Sequence, residues 1–122
     1  IIKSRRLIKN LYEKEFCCLK ELSIFKDGHG AESVAQNFVI CTDRRDQLMS
    51  FLESKGVMVQ RPYVPIHKMS FFDGGIKKEF PVTEWYFSKA LQLPLYSFME
   101  SSKAKAVIDL CHSFFKGMNR EN

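Results

Sequence analysis

Twelve residues in the middle of the chain, Gly56-Val57-Met58-Val59-Gln60-Arg61-Pro62-Tyr63-Val64-Pro65-Ile66-His67, restrict the fold more than any other stretch. Gly56 follows an amphipathic segment and is placed to end a helix in the left-handed conformation. Val57 to Arg61 then reads as a short strand. Pro62 and Pro65 fix φ and remove two N–H donors, so the chain leaves any sheet there on stiff backbone. Such a segment displays Arg61, Tyr63 and His67 instead of hiding them.

The flanking sequence supplies a core for that segment. Ile2, Leu7, Ile8, Leu11 and Tyr12 fall near helical spacing with Lys and Arg between them, which predicts an amphipathic helix from Ile2 to Glu15. Phe16 to Phe25 predicts a strand or irregular extended segment, and Lys26-Asp27-Gly28-His29-Gly30 a flexible turn. Ala35 to Cys41 ends in an apolar run of strand length. Asp43 is placed to cap a helix whose buried face is Leu48, Met49, Phe51 and Leu52. The local order is therefore strand, helix, strand. After a long loop from Pro62 to Glu79, a helix is predicted from Pro81 to Leu91, broken by Leu93-Pro94-Leu95-Tyr96. A last helix runs from Ser101 to Lys116 with Ala104, Val107, Ile108, Cys111, Phe114 and Phe115 on one side.

Composition limits the alternatives. A chain of 122 residues with 45% hydrophobic and 27% charged residues suits one globular domain and excludes disorder over most of its length. No apolar run approaches the about twenty residues that cross a bilayer, and a soluble cytoplasmic protein without membrane contact is expected. The chain opens on Ile1, not Met, with no cleavage-site pattern, and is expected to be a piece of a longer protein. Cys17, Cys18, Cys41 and Cys111 have no metal-site spacing, so reduced and largely buried thiols are expected. The formal net charge of +5 favours anionic partners. Its spread along the sequence lacks the dense stripe of a nucleic-acid binder, and Lys3, Arg5 and Arg6 read as a solvated helix face.

For the three displayed side chains two readings stand. Arg61 is either a fork for phosphate or carboxylate or one half of a surface ion pair. His67 is either a proton-transfer or phosphate-binding group or a structural histidine. Tyr63 either stacks on a ring or is a half-buried loop tyrosine. Three aromatic residues in Glu84-Trp85-Tyr86-Phe87 are expected in the core. No nucleophile elbow, Cys–His arrangement or phosphate-loop pattern is present in the sequence.

Taken in order, Asn37-Phe-Val-Ile before Asp43-Arg44, Gly56-Val57, Arg61-Pro-Tyr-Val-Pro-Ile-His67, Phe80-Pro81-Val82 and Leu91-Gln-Leu-Pro-Leu-Tyr96 resemble the C-terminal small domain of the DegT/DnrJ/EryC1/StrS aminotransferases. These pyridoxal-phosphate enzymes aminate keto-sugars on nucleotide carriers. The resemblance covers nearly the whole chain. It implies an α/β fold of the α+β type, with a small, mainly antiparallel sheet of about three strands flanked by helices. Residues 1–118 would form the small domain and 119–122 a frayed tail. It implies a cofactor held by a large N-terminal domain whose motifs this sequence lacks, so no pyridoxal phosphate is expected on this chain alone. The implied partners are that domain, a second subunit and a nucleotide-sugar substrate, with Arg61, His67 and, more weakly, Tyr63 on the substrate side and no catalytic residue. Val57 in place of Ile, and Met69-Ser70, depart from the family pattern in ways that bear on the substrate more than on the fold. Two other readings remain: a stand-alone basic module for phosphorylated ligands or nucleic acid, and a dehydratase-type relative with the catalytic lysine replaced.

Overall fold

The computed structural model describes residues 1–72 and 78–120; the side chains of Phe72 and of 118–120 are excluded. Helices and strands follow one another as α1 (Ile2–Phe16), β1 (Ser23–Ile24), β2 (Phe38–Cys41), α2 (Arg45–Ser54), α3 (Pro81–Lys89), β3 (Ala90–Leu93) and α4 (Ser101–Arg120). The strands form an antiparallel sheet in the order β1-β2-β3. Four helices and three antiparallel strands among the described residues make an α+β domain, as expected.

Side-chain alternation places the core. Phe38 and Ile40 of β2, paired with Leu93 and Leu91 of β3, are buried with Ile8, Tyr12 and Phe16 of α1, Leu48 and Leu52 of α2 and Ala104, Val107, Ile108, Cys111 and Phe115 of α4. Helices α1, α2 and α4 thus share one apolar layer with the sheet. Tyr12 is fully buried, its ring 4.8 Å from that of Phe38, and its hydroxyl donates to the Pro94 carbonyl at 2.8 Å. Burial pushes its ionisation well above the usual range.

The end of α2 obeys its sequence. Gly56 has φ +82°, its N–H donates to Glu53 O at 3.0 Å, and the Val57 N–H reaches back to Leu52 O at 3.0 Å. This paired closure satisfies the last helical carbonyls and requires the left-handed residue. At the other end Asp43 does not cap the helix. Arg44 occupies that position without a side-chain cap bond, and Asp43 instead pairs with Lys89.

The segment Val57 to Arg61 is not a full strand. Only Gln60 pairs, exchanging both backbone bonds with Gln92 at 3.2 and 2.8 Å. Continuing this antiparallel register would set Pro62 opposite Ala90 and Pro94 opposite Met58. Each proline lacks the N–H that the next bonded pair needs, so the ladder stops on both sides.

The predicted helix from Pro81 to Leu91 stops two residues early. Ala90 to Leu93 pair instead with all four residues of β2. Arg45, 6% exposed, fixes this switch by donating from one guanidinium nitrogen to Phe87 O at 2.8 Å and Ala90 O at 3.0 Å. Helix propensity in Ala90 and Leu91 is worth tenths of a kcal/mol and yields to sheet pairing and burial.

Other expectations need correction. Helix α4 continues through Gly117 to Arg120, so Asn119 and Arg120 belong to it, while Glu121 and Asn122 lie outside the described residues. Gly74 and Gly75 of the long loop also lie outside them. Of Phe16 to Phe25 only Ser23–Ile24 is strand. Cys41 and Cys111 are buried, but Cys17 and Cys18 are exposed. Helix α3 buries no residue fully, and Trp85 remains 44% exposed. Arg5 and Arg6 are not merely solvated. Arg5 donates to Ser97 Oγ and Gln36 O, and Arg6 to Ser33 O and Glu32, which ties the 32–36 segment to α1.

Replacing Arg45 by Leu leaves Phe87 O and Ala90 O unpaired, and urea denaturation is expected to show a loss of about 2–4 kcal/mol. Tyr12→Phe removes one buried bond while keeping the packing, with an expected loss of about 1 kcal/mol by the same measurement. Burial pushes the Cys111 thiol up to about 12. Alkylation of the native chain followed by peptide mass spectrometry is therefore expected to label Cys17 and Cys18 and to spare Cys111 until denaturant is added.

Candidate functional site

The Gly56 closure and the single Gln60–Gln92 bridge deliver the chain to Arg61 on the free edge of β3. Arg61 and Tyr63 there line one open cleft of about 680 Å³ with Gln36, Asn37, Met49, Val59, Gln60 and Gln92. Gln36 and Asn37 lead into β2, Met49 comes from α2, and Gln92 sits on β3. Among the described residues, Arg61 is the only charged one in this lining. Four carboxamides, which both donate and accept, surround it.

The guanidinium of Arg61 is lightly held. Its Nη2 lies 3.2 Å from Asp46 Oδ1, the same oxygen that receives Arg45 Nε at 2.6 Å. Arg45 is nearly buried and anchored to backbone carbonyls, so it fixes Asp46, and Asp46 in turn steadies Arg61. The outer pair is half exposed on both sides and contributes at most about 1 kcal/mol. Arg61 therefore offers most of its planar fork to solvent, where an anion can take two parallel bonds. Tyr63, 94% exposed, presents a whole ring at the rim of the cleft and is not the half-buried loop residue of the blander reading.

His67 is placed elsewhere. Pro65, with φ −56° and ψ 142°, leads into a short 3-10 turn at Ile66–Lys68 closed by Lys68 N–H to Pro65 O at 2.9 Å. The His67 ring packs on Phe80 with centroids 4.8 Å apart, and Nε2 lies 3.3 Å from Glu84 Oε1. Lys68 Nζ reaches the same carboxylate oxygen at 3.7 Å. The side chain of His67 is only 13% exposed, so its position ties the proline loop to the first turn of α3. The structure thus unites Arg61 and Tyr63 and sets His67 apart as a loop anchor.

Sequence reasoning missed Gln36, Asn37, Gln60 and Gln92 as site residues, and Arg45 and Asp46 as their supports. One signal was available for Gln92, a carboxamide inside the apolar strand Ala90-Leu91-Gln92-Leu93. Its neighbours are buried while it is not, so alternation alone sends it to the opposite face. The other carboxamides precede or follow apolar runs and read as ordinary loop polarity.

Pyridoxal phosphate requires an amine to condense with and a close backbone cradle for its phosphate. Among the described residues, Lys9, Lys68 and Lys89 are engaged by carboxylates. At Gly28, Gly30, Gly56 and Gly117 an added Cβ would meet nothing within 4 Å, so none of these glycines marks a close approach of backbone to another group. These three lysines are therefore not free to condense with the cofactor, and none of these four glycines forms a cradle for its phosphate. No group of three or more potential metal ligands occurs among the described residues either.

The fold occurs in known enzymes. It matches DesV of S. venezuelae, solved with a ketimine intermediate, with a TM-score of 0.88 at 24% identity over 93% of this chain and 31% of that one. TlmJ, an aminotransferase from Streptoalloteichus hindustanus, matches with a TM-score of 0.88 at 22% identity over 96% of this chain and 32% of its own. DesI, solved in the presence of its TDP-sugar product, matches with a TM-score of 0.82 at 20% identity over 91% of this chain and 30% of its own. The chain therefore spans about a third of the length of the structures it matches. Among curated proteins no sequence match was found. The model of the DegT/DnrJ/EryC1/StrS aminotransferase family matches residues 1–112, and the chain belongs to that family.

Proposed function

We propose that residues 1–118 are the C-terminal small domain of a pyridoxal-phosphate-dependent nucleotide-sugar aminotransferase, closing one side of a substrate cleft whose cofactor is held by a large N-terminal domain. The carrying observation is the family match over 1–112 on a fold that accounts for about 31% of DesV. A nucleotide-sugar substrate is supported by DesI, which was solved with a TDP-sugar product. In this reading Arg61 and Tyr63 face the substrate, and His67 orders the loop that carries them. The cofactor, when bound in the whole protein, supplies the electron sink for transamination; the present residues contribute binding and cleft closure, and the chain is inactive alone. The family reading also implies a homodimer in the cytoplasm.

Surface composition supports an absent neighbour. Ile2 is 46% exposed and Leu7 58% on α1, and Ile66 is 62% and Phe71 89% exposed on the proline loop. Apolar surface at both places suits contact with another domain or subunit. No helix among the described residues is long and apolar enough to cross a membrane.

The stand-alone basic module fares worse. Six of the nineteen basic residues, Arg5, Arg6, Lys9, Arg45, Lys68 and Lys89, are engaged by protein carbonyls or carboxylates, and the basic residues are spread along the sequence without a dense stripe. A dehydratase-type relative would share this domain and differ in the residue that meets the cofactor.

The test uses the complete reading frame that encodes this chain. Borohydride reduction in the presence of pyridoxal phosphate is expected to trap the cofactor on one lysine outside residues 1–122, and mass spectrometry is expected to show a keto-sugar nucleotide gaining an amino group. A full-length product without such a lysine overturns the aminotransferase reading. Loss of a sugar hydroxyl without any trapping of the cofactor on a lysine assigns the dehydratase-type chemistry instead.

A further inference from the structure

Two cysteines stand side by side where α1 ends, and neither lines the cleft beside β3. Cys17 and Cys18 are both exposed, whereas Cys41 and Cys111 are buried. An unpaired cysteine is ordinarily among the most buried of residues, so two exposed neighbours call for a reason. The Cys17 thiol donates to Lys14 O at 3.0 Å, and the Cys18 thiol lies 3.7 Å from Glu15 O. Both sulfurs therefore turn back over consecutive carbonyls of the last helical turn. A thiol is a weak donor, so these contacts orient the sulfurs and yield easily to a stronger ligand.

The backbone that carries the pair is fixed. Phe16, directly before it, is fully buried, and the Leu19 N–H donates to Phe16 O at 3.1 Å. Glu15 O also lies 3.0 Å from Nε2 of His112, which ties the end of α1 to α4. Little ordering remains to be done when a ligand arrives, which lowers the cost of binding.

Chain geometry and ligand count together select that ligand. The peptide between the two cysteines is trans, so their Cα atoms are about 3.8 Å apart. A disulfide favours about 4.4–6.8 Å, and a direct bond between neighbours is strained and easily reduced. A metal ion seated between the sulfurs adds a bond on each side and lifts that constraint. Structural zinc and iron–sulfur clusters take four ligands, but no group of three or more potential ligands occurs among the described residues. The ion that suits is soft and satisfied by two thiolates, as copper(I) is.

We infer that Cys17 and Cys18 form a two-thiolate binding site for a soft monovalent metal ion, copper(I), at the C-terminal end of α1. Binding exchanges protons for the ion: two thiols and one copper(I) ion give an anionic bis-thiolate and two protons, and no electron is transferred. The carbonyls of Lys14 and Glu15 lose only weak donors in the exchange. The site shares no residue with the cleft beside β3 and does not depend on the aminotransferase reading.

The test uses the reduced product of the complete reading frame under anaerobic conditions, with copper(I) supplied in competition with the chromophoric chelator bathocuproine disulfonate. Cys17→Ser and Cys18→Ser are each expected to weaken the site by about a hundredfold, because each removes the chelate, and the double variant is expected to be no weaker than either. Copper(I) is also expected to protect Cys17 and Cys18 of the unaltered protein together from iodoacetamide, read by peptide mass spectrometry. Continued sparing of the buried Cys111 in the same digests shows that each protein is folded. A single variant that binds like the unaltered protein overturns the site, as does protection of only one thiol or of neither. Equal protection by zinc overturns the choice of a two-coordinate ion. The protection experiment needs no substitution, so it decides the matter even where a variant fails to fold.

Discussion

The buried guanidinium of Arg45 controls more of this structure than any other single group. It stands at the first residue of α2 and donates to the two carbonyls where α3 gives way to β3. That contact fixes where the helix ends, and therefore which residue of β3 faces which residue of β2. The register in turn places Gln92 opposite Gln60 on the outer edge. Through its remaining Nε the same side chain holds Asp46, and Asp46 holds Arg61. The path from the core to the exposed site thus runs through a charged group whose Nη1 and Nε are both paired. A buried charge of this kind is tolerated only because carbonyls and a carboxylate surround it.

How far the sequence reveals this depends on whether the decisive force is local. Helix α1 and the buried face of α4 are legible because apolar spacing alone specifies them. The close of α2 is legible because Gly56 is the residue that a left-handed turn requires. The α3 to β3 switch is not legible, since Ala90 and Leu91 are good helix formers and only pairing with β2 and capture by Arg45 turn them into a strand. Arg45 itself reads in sequence as one more polar residue at a helix start. Asp43 misleads for the converse reason. A residue with the chemistry of a cap finds a better partner in Lys89, which lies 46 positions away in sequence.

The same contrast divides the candidate site. Arg61 and Tyr63 are legible because prolines force their segment out of regular structure, where polar and aromatic side chains must be displayed. His67 shares that signal, yet Phe80 and Glu84 capture it. Both are distant in sequence, so local spacing carries no warning. The carboxamides are invisible for a different reason. Gln36, Gln60 and Gln92 come from three separate segments and acquire meaning only when the sheet edge gathers them. Arg5 adds to this by pinning the Gln36 carbonyl from α1, a role that its place in a basic helix segment conceals.

The free edge of β3 explains why a cleft exists there at all. An unpaired strand edge tends to recruit another strand, and the segment after Gly56 runs along it in the right direction to serve. Two prolines, Pro62 and Pro94, stand at the two positions where the next backbone pairs would form. They hold the contact to one bridge. Had either been an ordinary residue, the ladder could lengthen and carry the flanking side chains into a fixed alternation, with successive residues on opposite faces. With both in place, the chain touches β3 once and then departs, so the consecutive residues Gln60 and Arg61 escape that alternation and line the same cleft together with Tyr63. The prolines that limit the sheet are thus the same residues that make its edge available to a ligand.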